Sequence, residues 1–193
     1  MYADRFQLPS YLIRRKVLKI FGGAFHIYAP DGQVVFYSNM KAFKLKEDIR
    51  IYTGEDMTQE VLTIKARNII DFSATYDVVD AETGERVGAL RRRGLKSILQ
   101  DEWAILDLND QEVGTIVEDS TLLALVRRFL TNLIPQHYSV SLGGRPVAHF
   151  RQNFNPFVMK ITADFAGDPG FMLDRRMGIA AALLLCAVEG KQG

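Results

Sequence analysis

One cysteine, Cys186, is present among 193 residues, so no disulfide can form within the chain. That fits a reducing compartment. Cys186 sits in an apolar run, without the electropositive, partly exposed surroundings that activate a thiol, and it is expected to pack rather than react. Neither sign of charge dominates, with 24 basic residues against 23 acidic ones. Nucleic-acid-binding domains are usually more one-sided, so no nucleic-acid partner is expected. The longest apolar run, Met177 to Val188, has 12 residues, well short of the ~20 that a spanning helix needs. Met1 to Ser10 mixes Asp4, Arg5 and Gln7 with apolar residues and has no continuous signal-peptide core. The expected location is the cytoplasm, with any membrane attachment peripheral.

Catalytic signatures are missing as well. No GxSxG, HExxH, CxxC or P-loop pattern occurs. His26, His137 and His149 fall in separate strand candidates and lack metal-ligand spacing. The expectation is therefore a protein that is not an enzyme, with no catalytic residue, no metal and no cofactor.

What the chain does have is a repeated strand–turn–strand unit. Phe25–Tyr28 leads through Pro30-Asp31-Gly32 to Val34–Tyr37. Tyr76–Asp80 leads through Glu82-Thr83-Gly84 to Val87–Leu90. Trp103–Asp107 leads through Asn109-Asp110 to Val113–Ile116, and Tyr138–Leu142 through Gly143-Gly144 to Val147–Phe150. Aromatic and β-branched residues flank turns whose Gly, Asp and Asn tolerate positive φ. Further strands are read at Ile49–Tyr52, Val61–Ala66 and Val158–Thr162. The total is about a dozen, too many for a single open twisted sheet.

Two segments break the period. Ser120 to Ile134 places Leu122, Leu123, Leu125, Val126, Phe129, Leu130, Leu133 and Ile134 at the spacing of an amphipathic helix, with Arg127 and Arg128 on its other face. Met177 to Val188, with Asp174 as N-cap, is apolar on every side. Such a helix must be surrounded, and at ~1.5 Å per residue it suits a domain interior better than a bilayer.

Hairpins followed by an apolar C-terminal helix make the chain resemble the LURP-one-related family, of the Tubby C-terminal-like superfamily that also includes the phospholipid scramblases. Tyr76 to Ile116 and Asp174 to Glu189 carry the resemblance, and Phe25 to Tyr37 follows the same grammar. It implies one domain over residues 1–193: a closed β-barrel of about twelve strands, with the C-terminal helix threaded through it and the 120–134 helix in addition. It also implies association with membrane lipid, in some superfamily members through phosphoinositide headgroups.

The sharpest charge cluster is Arg91-Arg92-Arg93 with Lys96. Guanidinium forks match phosphate oxygens, so an anionic headgroup site is one reading; a solvated strand end is the other. Alternation in a strand puts Arg91 and Arg93 on one face and Arg92 on the opposite one. Arg127 and Arg128 beside Leu125, Phe129 and Leu133 suit either a membrane-interface helix or a helix packed on the barrel. Further basic groups are Arg14-Arg15-Lys16 with Lys19, and Lys41, Lys44 and Lys46. The leading expectation is a non-enzymatic module that binds anionic membrane lipid. The alternative is an interaction scaffold that docks a protein partner through the 120–134 helix. The sequence does not set the oligomeric state.

Overall fold

The computed structural model describes residues 3–17, 23–40, 48–68, 74–93, 102–119, 136–153 and 158–189. A 3-10 turn, Ala3–Phe6, precedes β1 (Ser10–Val17) and β2 (Gly23–Tyr28). Then come β3 (Val34–Met40), β4 (Ile49–Tyr52), β5 (Glu60–Asn68), β6 (Thr75–Asp80) and β7 (Arg86–Arg92). The remaining strands are β8 (Glu102–Leu106), β9 (Glu112–Glu118), β10 (His137–Leu142), β11 (Arg145–Asn153) and β12 (Lys160–Asp164). A helix, α1 (Arg175–Glu189), follows.

Each strand pairs antiparallel with its neighbour in sequence, and β1 pairs with β12, so the sheet closes on itself without an edge. The barrel therefore has two distinct ends. We call the end where β12 runs out and α1 begins the base, and the opposite end the rim.

The expected hairpins are present. Gly143 and Gly144, at φ of 54° and 78°, make the two-residue turn between β10 and β11. Two strands differ from expectation. β1 was not read as a strand, because its inward positions are Tyr11, Ile13 and Arg15, and a buried arginine breaks the apolar alternation. The last strand runs from Lys160 to Asp164, two residues beyond the expected segment at 158–162. The amphipathic segment 120–134 lies outside the described residues.

α1 is threaded through the barrel. Ile179, Ala180, Ala182, Leu183, Leu184, Cys186 and Ala187 are fully buried and join the inward faces of the strands in one core. Trp103 also belongs to that core, 6.0 Å from Tyr76 between ring centroids. Alanines keep the helix slim, and glycines let it approach the wall. A Cβ on Gly178 would lie 2.5 Å from the Phe165 ring, and one on Gly88 would lie 3.3 Å from Met177. Burial of each large apolar side chain contributes about 1.5–3 kcal/mol, so removing α1 would empty the interior.

The base is locked by the segment between β12 and α1. Asp174 caps the helix, its Oδ1 accepting the Arg176 N–H at 2.9 Å. Arg175 is buried between Phe165 and Phe171, 4.6 Å from each ring centroid. It donates to Asp168 Oδ2 at 2.8 Å and to the Leu173 and Asp168 carbonyls. Asp168 also accepts the N–H groups of Met172 and Leu173. Arg176 ties the helix to the wall through Asp80 on β6, at 2.8 Å.

Candidate functional site

The direction of the strands sorts the charge of the chain. The connections at the base are 29–33, 53–59, 81–85, 107–111, 143–144 and 165–174. They contain nine acidic residues and no lysine or arginine. The sequence stretches that join the other strand ends lie mostly outside the described residues; as sequence they contain eight basic residues, among them Lys41, Lys44, Lys46, Lys96, Arg127 and Arg128, against five acidic ones. Those rim stretches are also rich in leucine, isoleucine and phenylalanine. The charged residues of the described base connections are thus uniformly acidic. Sequence reading had no means of gathering the acidic residues at one end of the barrel.

Arg91, Arg92 and Arg93 sit at the rim end of β7. Arg91 and Arg93 share the outer face, as alternation requires, and both reach Glu112. Arg93 also pairs with Glu102 at 2.5 Å. Arg92 lies across from the buried Trp103 and acts on the inward-facing Tyr76, whose phenol pKa burial raises. The three guanidiniums therefore do not form one patch, and Glu112 and Glu102 hold Arg91 and Arg93. Lys96, Leu125, Arg127, Arg128, Phe129 and Leu133 lie outside the described residues.

Polar groups also line the inside of the barrel, where sequence reading placed none. Arg15 and Glu118 are buried at inward positions, and Gln136 is buried beside β10. Burial lowers the Arg15 pKa. At the base, the Tyr11 hydroxyl donates to the Arg5 carbonyl and accepts the Leu8 N–H; burial pushes its pKa up to about 12. On the outer wall, Arg67 and Arg86 hold Asp77 and Asp110 in a four-residue network across β5, β6, β7 and the β8–β9 turn.

The three histidines do not converge. His26 pairs with Glu55 at 2.7 Å on the outer face, while His137 and His149 are exposed on β10 and β11. Among the described residues no group of three metal-capable side chains occurs. No described helix is long and apolar enough to cross a membrane.

A closed twelve-stranded barrel around a C-terminal helix is the architecture that the resemblance implies. The family model for LURP-one-related proteins matches residues 34–187, from the start of β3 into the last turns of α1. The chain belongs to the LURP-one-related family. That membership is consistent with the Tubby-like superfamily. The match omits β1 and β2, yet β1 closes the barrel against β12, so the family core and the N-terminal hairpin are one sheet. No curated protein and no solved structure matches the chain.

Proposed function

We propose that this LURP-one-related barrel is a non-enzymatic module that attaches to anionic membrane surfaces through its rim. The observation that supports the reading is the wholly acidic base, together with a sequence whose basic clusters fall between the strand ends opposite to it. In sequence, Lys41 to Lys46 interleaves three lysines with Ala42, Phe43 and Leu45, as in segments that lie in a membrane interface. The acidic base would be repelled by the same surface. Attraction is worth about 1 kcal/mol per lysine or arginine near such a surface, so several rim cations suffice for reversible binding. Arg91 and Arg93 contribute less than unpaired cations, because Glu112 and Glu102 already hold them.

Vesicle pelleting tests this reading. The protein should pellet with phosphatidylserine vesicles and stay in solution with phosphatidylcholine vesicles. Binding should vanish in high salt, since the Debye length falls from ~10 Å at 0.1 M to ~3 Å at 1 M. Replacing Lys41, Lys44 and Lys46 by glutamine should weaken binding, whereas replacing Glu82 and Glu85 by glutamine at the base should not. No pelleting with anionic vesicles at low salt would remove the membrane reading.

A second reading is favoured by a separate observation. Among the described residues, the exposed large apolar side chains are Val34, Met57, Leu108, Val113, Phe171 and Met172, and all lie in or beside base connections. Met57 and Phe171 have φ of 53° and 54°, unusual for bulky residues. Apolar side chains in an acidic setting suit a basic, amphipathic segment of a protein partner. On this reading the docking face is the base, not the 120–134 segment. Leu108→Ser with Met172→Ser would abolish partner capture and leave vesicle binding intact.

A further inference from the structure

Closure of the barrel brings two cations face to face on the outer wall. Arg14 of β1 is the cross-strand partner of Lys160 of β12. Both point outward, since Ile13, Arg15 and Ile161 occupy the inward positions between them. Like charges directly opposite one another destabilise an antiparallel pair. Nothing relieves them here: neither side chain has a carboxylate partner among the described residues. Glu55, on the same flank, is taken by His26 at 2.7 Å. Asp164, also on β12, accepts the Ala166 N–H at 2.8 Å. Arg151 of β11, across from Thr162, adds a third cation to the flank.

The two cations stand in a groove of about 310 Å³ that runs along β1 toward the base. Beyond them its lining is mostly apolar, with Leu12, Tyr28 and Pro30. The groove is thus cationic near Arg14 and Lys160 and apolar toward the β2–β3 turn.

We propose that this flank groove binds a small soluble organic phosphate, with its phosphate between Arg14 and Lys160 and a short apolar body along Leu12 and Tyr28. A phosphate dianion neutralises both cations at once, and Arg14 presents the forked donor set that phosphate oxygens fit. The apolar body removes Leu12 and Tyr28 from water. The site lies on the outer wall, with Lys160 at the rim end of β12 and the apolar lining toward the base. A membrane-embedded lipid is a poor occupant: with the rim on the membrane, its tail would have to run along the groove toward the base, away from the bilayer.

Calorimetric titration of the full chain with hexyl phosphate, inorganic phosphate and hexanol tests the site, with a thermal transition recorded for every variant. Hexyl phosphate should bind more tightly than inorganic phosphate, and hexanol should not bind. Arg14→Gln and Lys160→Gln should each weaken hexyl phosphate about tenfold or more, the scale of one lost charge-assisted contact. Leu12→Ser should weaken hexyl phosphate and leave inorganic phosphate unchanged. Without ligand, R14Q should melt no lower than the parent protein, because it relieves repulsion; a lower transition would show that the pair is not strained and overturn the argument. Absence of hexyl phosphate binding at low salt would overturn the proposal, as would binding that R14Q and K160Q leave unchanged. Leu12→Ser, toward the base, should still pellet fully with phosphatidylserine vesicles, so a failed titration and a failed pelleting assay report on different claims.

Discussion

Arg175 Nη1 lies 2.8 Å from Asp168 Oδ2, and neither side chain exposes more than 4% of its surface. A buried ion pair of this kind is not itself strong evidence of stability, because desolvation opposes the attraction. Its removal from one side is another matter. Asp168→Asn leaves the guanidinium buried between Phe165 and Phe171 without its counter-charge. The expected loss is about 3–5 kcal/mol, read from urea unfolding. A loss below about 1 kcal/mol would show that Arg175 escapes to water and that the base is not locked by this pair.

Acid should act on the same place. Burial pushes the Asp168 carboxyl up, but the Arg175 guanidinium and the N–H groups of Leu173 and Met172 outweigh it, and the net shift is downward. Asp80 behaves alike: burial opposes the N–H of Thr83, the Arg176 guanidinium and the N–H of Glu82, and the carboxyl again ends below its ordinary value. An unperturbed aspartate titrates near about 3.9. Both groups therefore contribute stability that is complete above that value and is lost as pH falls through their lower folded values. Unfolding free energy measured from pH 6 down to ~2 should decline in that window. Asp168→Asn, itself less stable at pH 6, should show a shallower decline.

The close approach of α1 to the wall can be probed by adding a methyl group. Gly178→Ala puts a carbon where the Phe165 ring now stands. Overpacking should cost about 1–3 kcal/mol. Phe165→Leu in the same chain should recover part of the loss, because the two changes share one contact. Additive losses in the double variant would mean that the helix shifts instead of the ring.

Glu112 restrains two of the rim-side guanidiniums. Glu112→Gln should release Arg91 and reduce the hold on Arg93, and under the membrane reading it should raise pelleting with phosphatidylserine vesicles by a few-fold, on the scale of about 1 kcal/mol for one cation. Unchanged pelleting would place these arginines outside the contact surface.

Cys186 is fully buried inside the barrel. It should resist thiol reagents until the protein unfolds, so its labelling rate should follow the unfolding rate across denaturant. Rapid labelling in native buffer would contradict the threaded helix.

Much of this architecture was legible because hairpins are local. Period-two apolarity and a Gly, Asp or Asn turn lie within a few residues of each other, as at Tyr138–Leu142 and Gly143-Gly144. The threading of α1 was legible because a helix apolar all round has no solvent-facing option. β1 was not, since Arg14-Arg15-Lys16 looks like a surface run while Arg15 in fact points inward. The β12 register was misplaced because Val158 and Met159 are more strand-like than the small Ala163, which does the packing. The lock at the base joins Asp168 and Arg175 across a Pro-Gly loop that shows no period. The groove joins Arg14 to Lys160 only because the barrel closes, and no local pattern encodes closure.

That closure has a consequence for how the chain acquires its structure. Eleven of the twelve strand pairings join neighbours in sequence, and hairpins of this kind form within about 1–10 μs. The twelfth joins β1 to β12, and the side chains that fill the interior follow in α1. A ribosome adding ~5–20 residues per second needs on the order of ten seconds or more to pass from β1 to α1. Throughout that interval the hairpins can exist but their apolar faces have nothing to pack on. The helix and the β1–β12 pairing therefore complete the structure in a late, non-local step. Folding should accordingly be slow for the size of the chain, and aggregation should be greatest just before that step.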